Sequence, residues 1–362
     1  MKKIVTLFLV VISLLGCENE TATIQVSQID SKKELVELKQ KAITPILTMA
    51  KNKEFKDFIL NECLKQEHGE YNVYFSKIIQ KFKDNPSYSK YITDLSTLSN
   101  QIKKLNGGIE PLVFYPRAET IEENFKSLRK SQKVFKMSQQ VEQTIAVNQD
   151  VMDPNGSTPG YILSFDGEMI YFDNIFEEFA WENDVWVIGE EEVVPNMSSF
   201  EDNITTSVSF VAPPSRFENQ AEYGGIIQVT DLGAIEPWTK GKLEFSIIIR
   251  GITGVEVKKD FDKRKRSHFR NNKWYDYNYF IGNWTNSAFG ILMVEKWLEL
   301  DGGSSASVTL TIPPAVPGGI TTSVTIPSKN RDDDLGQSII QFTDSMNQIY
   351  NLSHMNMKRK HL

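Results

Sequence analysis

The hydrophobic pattern changes period along the chain, and that change narrows the fold more than any other feature. From Ser31 to about Leu105 the apolar residues recur at helical spacing. Tyr71, Tyr74, Phe75, Ile78, Ile79 and Phe82 follow the i, i+3, i+4, i+7 rule, and so do Tyr88, Tyr91, Ile92, Leu95, Ile102 and Leu105. From about Asp231 to Tyr350 the period is two: Leu243, Phe245, Ile247 and Ile249 alternate, then Val308, Leu310 and Ile312, then Ile320, Val324 and Ile326. A pattern with one of these periods does not bury its apolar side in the other conformation. The fold class is therefore α+β, with the helices and most of the strands in separate stretches.

Punctuation residues divide the chain further. Pro45 divides the first helical stretch, Lys83-Asp84-Asn85-Pro86-Ser87 breaks the next, and Asn106-Gly107-Gly108 ends the last. This predicts a helical bundle over 31–108. A small central mixed module is expected over 109–230. It has strands at Pro111–Tyr115 and Val185–Ile188, and a hairpin of Tyr161–Phe165 and Met169–Phe172 around Asp166-Gly167. Gly and Pro clusters punctuate the strands of 231–351, which predicts an antiparallel β-sandwich. Residues 352–362, with Lys358-Arg359-Lys360, read as a frayed basic tail.

The amino terminus carries a different signal. Lys2 and Lys3 precede an apolar run from Ile4 to Leu15, too short to span a hydrocarbon core of about 30 Å as a helix. It fits the apolar region of a secretory signal. The run ends Leu14-Leu15-Gly16-Cys17, which resembles the lipobox of bacterial lipoproteins. That resemblance implies cleavage after Gly16, acylation of Cys17 and a mature chain starting there. Residues 1–16 are then a lipoprotein signal peptide and 17–30 a polar tether. The implied location is the cell envelope, lipid-anchored, on the outer membrane at its periplasmic or surface face. Glu18 and Glu20 resemble surface-export signals of some outer-membrane lipoproteins. With Cys17 acylated, Cys63 is the remaining thiol and no intrachain disulfide forms. Cys63 falls in a helical pattern, as a packed thiol would.

The net charge of −7 argues against an overall electrostatic grip on nucleic acid. Segments Pro111–Pro116, Phe165-Asp166-Gly167 and Asp184–Glu190 resemble a module of uncharacterised bacterial surface lipoproteins spanning about residues 105–195, which implies location and no activity. The zinc-protease, P-loop, dinucleotide and serine-hydrolase motifs are missing. The four histidines, His68, His268, His354 and His361, have no ligand motif beside them. A glycan or peptide hydrolase needs paired carboxylates, for which Asp166, Glu168, Asp173, Glu177 and Glu178 are the candidates.

Two constellations lie in the β-rich part. Arg331-Asp332-Asp333-Asp334-Leu335-Gly336 before the strand Ile339–Phe342 resembles the third loop of a C2 domain. The resemblance implies Ca²⁺ held by aspartates of two loops, here Asp332, Asp333 and Asp334 with Asp260 and Asp262, and a calcium-dependent membrane-binding module. A hard cation takes six to eight oxygens, and adjacent carboxylates supply several. Lys258, Lys259 and Lys263 crowd that first loop and are placed to neutralise the aspartates instead. No cofactor is required by any motif, and Ca²⁺ is the one these residues would take. The second constellation is a basic run that includes Lys263, Arg264, Lys265, Arg266 and Arg270, followed at once by Trp274, Tyr275, Tyr277, Tyr279, Phe280 and Trp284. It reads either as a patch for an anionic ligand or as a solvated hairpin loop whose aromatics pack inward. The expected function is a non-enzymatic binding module anchored to the membrane by its lipid, with an envelope glycan, lipid or protein as ligand.

Overall fold

The computed structural model describes residues 31–67, 69–131, 143–149, 156–164, 166–190, 216–314 and 319–362, and in the helix containing residues 125–131 only the backbone of those residues. The signal segment, Cys17, the tether, His68 and Phe165 of the expected hairpin lie outside the described residues. The class is α+β. The chain divides into two compact units: residues 31–65 with 71–190, and Gln66–Glu70 with 216–362.

In the first unit the helices are α1 (31–41), α2 (Ile43–Ala50), α3 (Lys53–Cys63), α4 (Phe75–Phe82), α5 (Ser89–Leu105), α6 (Arg117–Ser131) and α7 (Glu177–Glu182). Pro45 sits in the first turn of α2, where its missing N–H has no helical partner to lose. Asn52 caps α3 by accepting from the Glu54 N–H at 2.8 Å. Phe55, Ile59 and Cys63 then face the core at i, i+4, i+8. Burial pushes the Cys63 thiol pKa up, so it is an inert packed thiol. Gly108 closes α5 by donating its N–H to the Lys103 carbonyl at 2.7 Å, with a positive φ of 93° that suits glycine.

These helices do not form a bundle of their own. They share one core with a six-stranded sheet in the order β1-β2-β6-β3-β4-β5. The strands are β1 (Asn72–Tyr74), β2 (Pro111–Phe114), β3 (Thr144–Val147), β4 (Thr158–Leu163), β5 (Met169–Ile175) and β6 (Val185–Glu190). Phe55 of α3 packs edge-on against Trp186 of β6, ring centres 6.0 Å apart, and Tyr115 approaches the same indole at 6.2 Å. Lys39 of α1, 1 % exposed, reaches Glu190 at 2.7 Å and the Asn148 carbonyl at 2.9 Å. The boundary expected at 108/109 is therefore not a unit boundary. The aromatic stripes that read as a self-contained bundle are the side that covers the sheet.

In the second unit, two four-stranded antiparallel sheets face each other. One has the order β10-β7-β16-β15 and the other β14-β11-β8-β9. The strands are β7 (Gln220–Val229), β8 (Phe245–Gly251), β9 (Glu256–Asp260), β10 (Trp274–Trp284), β11 (Leu292–Glu299), β12 (Ser305–Ile312), β13 (Thr322–Lys329), β14 (Asp333–Gln341), β15 (Tyr350–Asn351) and β16 (Met355–His361). A core containing Ile227, Phe245, Ile247, Trp284, Met293 and Trp297 lies between the sheets. The β12–β13 hairpin covers the outer side of β8 and β11 through Leu310, Ile312 and Ile326 packed with Ile248, Val294 and Leu298. Ile320, expected in a strand, lies before β13 and is exposed.

Two boundaries move. β7 lies in the 109–230 module of the sequence reading but pairs with β10 and β16 of the sandwich. The expected basic tail is strand β16, an inner strand of its sheet. Its residues alternate: Met355, Met357, Arg359 and His361 point in, and Asn356, Lys358 and Lys360 point out. Arg359 is hidden at 1 % exposure because it pairs inside the sandwich. It donates to Glu295 at 2.5 Å and lies 3.4 Å from Glu222, which Arg216 holds with two bonds of 2.9 Å. Trp297 also donates to Glu295, at 2.7 Å.

Candidate functional site at the open edge of the sandwich

The aspartates expected to converge on a cation do not. Glu299 pairs with Asp333 on one side and Phe245 on the other, while Asp260 pairs with Ser246 across β8. Asp260 and Asp333 therefore stand on opposite edges of one sheet, three strand spacings or roughly 14 Å apart. Each aspartate has local work. Asp332 accepts from the N–H groups of Lys329, Asp301 and Gly302 at 2.7–3.2 Å. Asp334 pairs with Lys296 at 2.7 Å and caps Gly336. Asp260 accepts from the Ser246 hydroxyl at 2.6 Å, and Asp262 lies 4.0 Å from Arg264. Asp333 and Asp334 belong to strand β14 itself rather than to a turn before it.

Asp333 meets other carboxylates instead. Its oxygens fall within 4.8 Å of those of Glu299 and Asp301, and Glu299 forms a second such group with Glu236 and Glu244. Among the described residues these are the groupings close enough for a hard cation. Burial and then the Asp301 charge hold the Asp333 carboxyl above the usual range, with Lys240 opposing. Lysines compensate this ring of acids: Lys240 reaches Asp301 at 2.9 Å and Glu236 at 3.8 Å, and Lys263 pairs with Glu244 and lies 3.6 Å from Glu70. The sequence carried a trace of this group in Glu299, the last residue of a strand that is buried throughout, and Asp301 two residues beyond it.

The paired-carboxylate candidates are strung along one hairpin and the helix after it. Asp166, Glu168, Asp173 and Glu178 are exposed. Glu177 accepts from the Trp181 indole at 3.2 Å. The Ser164 hydroxyl holds the Asp166 carboxyl below its ordinary pKa, the opposite of what a general acid requires.

The basic run and the aromatics after it do meet, at the side of the sandwich where the edge strands β9 and β10 face each other. A bulge builds this edge. Tyr277 and Asn278 together oppose the single residue Gly225, and Asn278 takes φ 52°. Tyr277 and Tyr279, two apart on β10, both pack against the core between the sheets. Tyr277 stacks on Phe261 with ring centres 4.1 Å apart and an interplanar angle of 23°. Phe261 in turn stacks on Trp297 at 5.7 Å. Gly225, at φ 81°, is needed here. A Cβ on it would come within 2.9 Å of the Tyr277 Cβ.

The result is a shallow pocket lined by Lys259, Phe261, Asp262, Arg264, Tyr277, Asn278, Tyr279 and Phe280. Arg264 lies 5.8 Å from the centre of the Tyr277 ring. Phe280 is 50 % exposed and bridges the pocket to the outward side of the β10-β7-β16 sheet. There the register sets three cross-strand rows: Trp274, Gln228 and Asn356; Asp276, Ile226 and Lys358; Phe280, Tyr223 and Lys360. The Lys358 ammonium stands 3.8 Å over the Trp274 ring, and Lys360 pairs with Asp276 at 2.7 Å.

The five basic residues singled out in the sequence divide. Arg264 lines the pocket. Lys263 is committed to Glu244 and Glu70. Arg266 is buried and donates to the Glu236 carbonyl at 3.0 Å. Lys265 and Arg270 are half-buried. None of the five belongs to a solvated loop, because the run turns back across Leu243 in a β-bridge at Arg264. Lys259 belongs to the same basic run and also lines the pocket, whereas Lys358 and Tyr223, far from the aromatics in sequence, were not legible as their neighbours. No family model matches the chain, and a search of curated proteins returned no match.

Proposed function

We propose that this chain is a lipid-anchored envelope protein that binds a ligand through the open edge of its sandwich. The observation that carries the reading is the β9–β10 edge, where a bulge, a stacked aromatic pair and cations form one solvent-facing pocket continuous with an aromatic sheet face. A site made of rings and cations, with the candidate catalytic carboxylates elsewhere and exposed, suits binding rather than turnover. The anchor supports the same reading. The Leu14-Leu15-Gly16-Cys17 ending supplies an acylation point, and two or more acyl chains hold a protein stably at a membrane where one does not. Among the described residues no helix is long and apolar enough to cross a membrane, which does not bear on lipid attachment.

Detergent phase partition of the full chain tests the anchor. The native protein is expected in the detergent phase and in the membrane pellet, and the Cys17→Ser protein in the aqueous phase. Equal partition of the two would overturn the anchor.

A further inference from the structure

We propose that the ligand of the β9–β10 edge is an acidic polysaccharide, held by ring stacking on its sugar faces and by lysines on its acid groups. This rests on the reading that the edge is the binding site. Charge complementarity is the first argument. The chain carries −7 overall, yet the charge left unneutralised at this edge is positive. Among the described residues no carboxylate lies in ion-pair range of Lys259 or Lys358, whereas Asp262 and Asp276 are already matched by Arg264 and Lys360. Lys259 is exposed and sits on the side of β9 that carries Val257 and Phe261, so it overhangs the pocket.

Shape is the second argument. Phe280, Tyr223 and Trp274 lie on a continuous strand face rather than on protruding loops. Pyranose rings present flat C–H faces that stack on such rings, with hydroxyls left at the rim for amides. Gln228 and Asn356 supply those amides beside Trp274, already joined by a bond of 2.9 Å that orients them. Lys358 now covers the indole. A sugar that stacks there displaces the ammonium sideways, toward the acid group that the same sugar carries. A bilayer surface would instead call for apolar side chains raised above the surrounding polar ones.

The test uses the full chain in detergent and three polymers: polygalacturonate, alginate and hyaluronate, each beside its methyl ester, in which the backbone is kept and the charge removed. Binding is expected for at least one acidic form, about tenfold weaker for its ester and weaker again as salt is raised. Lys259→Gln and Phe280→Ala replace exposed side chains, so thermal unfolding should hold while affinity falls about tenfold in each. Binding to no acidic polymer, binding equal to that of the esters, or binding that the two variants leave unchanged would overturn the ligand class. So would tighter, variant-sensitive binding to phosphatidylglycerol vesicles or to oligo-dT. Sedimentation with isolated, delipidated envelope fragments separates the two levels. Sedimentation lost in both variants keeps the edge as the binding site even where the acidic polymers fail, and sedimentation unaffected by them removes that site.

Discussion

Removal of residues 355–362 is expected to abolish the cooperative unfolding of the sandwich. As a basic tail, those eight residues would be dispensable. As β16 they are an inner strand, bonded to β7 on one side and β15 on the other. Their loss takes Met355 and Met357 out of the core between the sheets and leaves one edge of β7 without its partner. Unpaired strand edges and exposed apolar core promote aggregation. Thermal unfolding and limited proteolysis of the shortened chain against the full chain check this. The shortened chain should lack the sandwich transition and be cut rapidly within 216–354. An unchanged transition would mean that β16 contributes no more than a tail.

The second large effect lies in the pair that β16 brings inside. Arg359→Met leaves Glu295 buried, with the Trp297 indole as its remaining donor. Breaking a buried pair from one side costs about 3–5 kcal/mol, because the charge left behind is not solvated. Replacing both partners, Arg359→Met with Glu295→Leu, should recover most of that loss. Glu222 keeps its two-pronged bond from Arg216 in the double variant. Urea unfolding of the single and double variants measures the difference.

The same pair sets a pH dependence. Burial raises the Glu295 carboxyl above its ordinary pKa, and Arg359 opposes the rise. A carboxyl raised on folding binds more protons folded than unfolded. Stability therefore falls as pH climbs from the ordinary glutamate value toward the raised one. Without Arg359 the rise is larger, so the single variant should be close to wild type near pH 4.5 and far below it at pH 8. The fall between them cannot exceed about 1.4 kcal/mol per pH unit for one group. A penalty equal at both pH values would assign the loss to packing rather than to the stranded charge.

These effects also mark what the sequence could and could not convey. The period of the pattern was enough for the class, for the strands at Pro111, Val185 and Phe245, and for the hairpin around Asp166-Gly167. It could not reveal what each apolar stripe packs against. Phe55 reads as a bundle residue whether its neighbour is another helix or Trp186 of a sheet. The tail was misread because Met-x-Met-x-Arg-x-His alternates with charged residues at the inner positions, and an inward arginine looks exposed until its glutamate is located on another strand. The acidic loop was misread for a related reason. Adjacent aspartates look like ligands, but register across four strands decides which carboxylates approach one another, and a single sequence contains no register. The aromatic run after Lys273 was legible as chemistry. Its site was not, because the pocket depends on a bulge opposite Gly225 and on Phe261, sixteen residues before Tyr277.

The most direct measurement of the proposed role is the intact mass of the native protein extracted from membranes. A chain beginning at Cys17 and carrying acyl groups is the expected species. An unmodified chain that retains Met1 would contradict a lipid-anchored envelope protein.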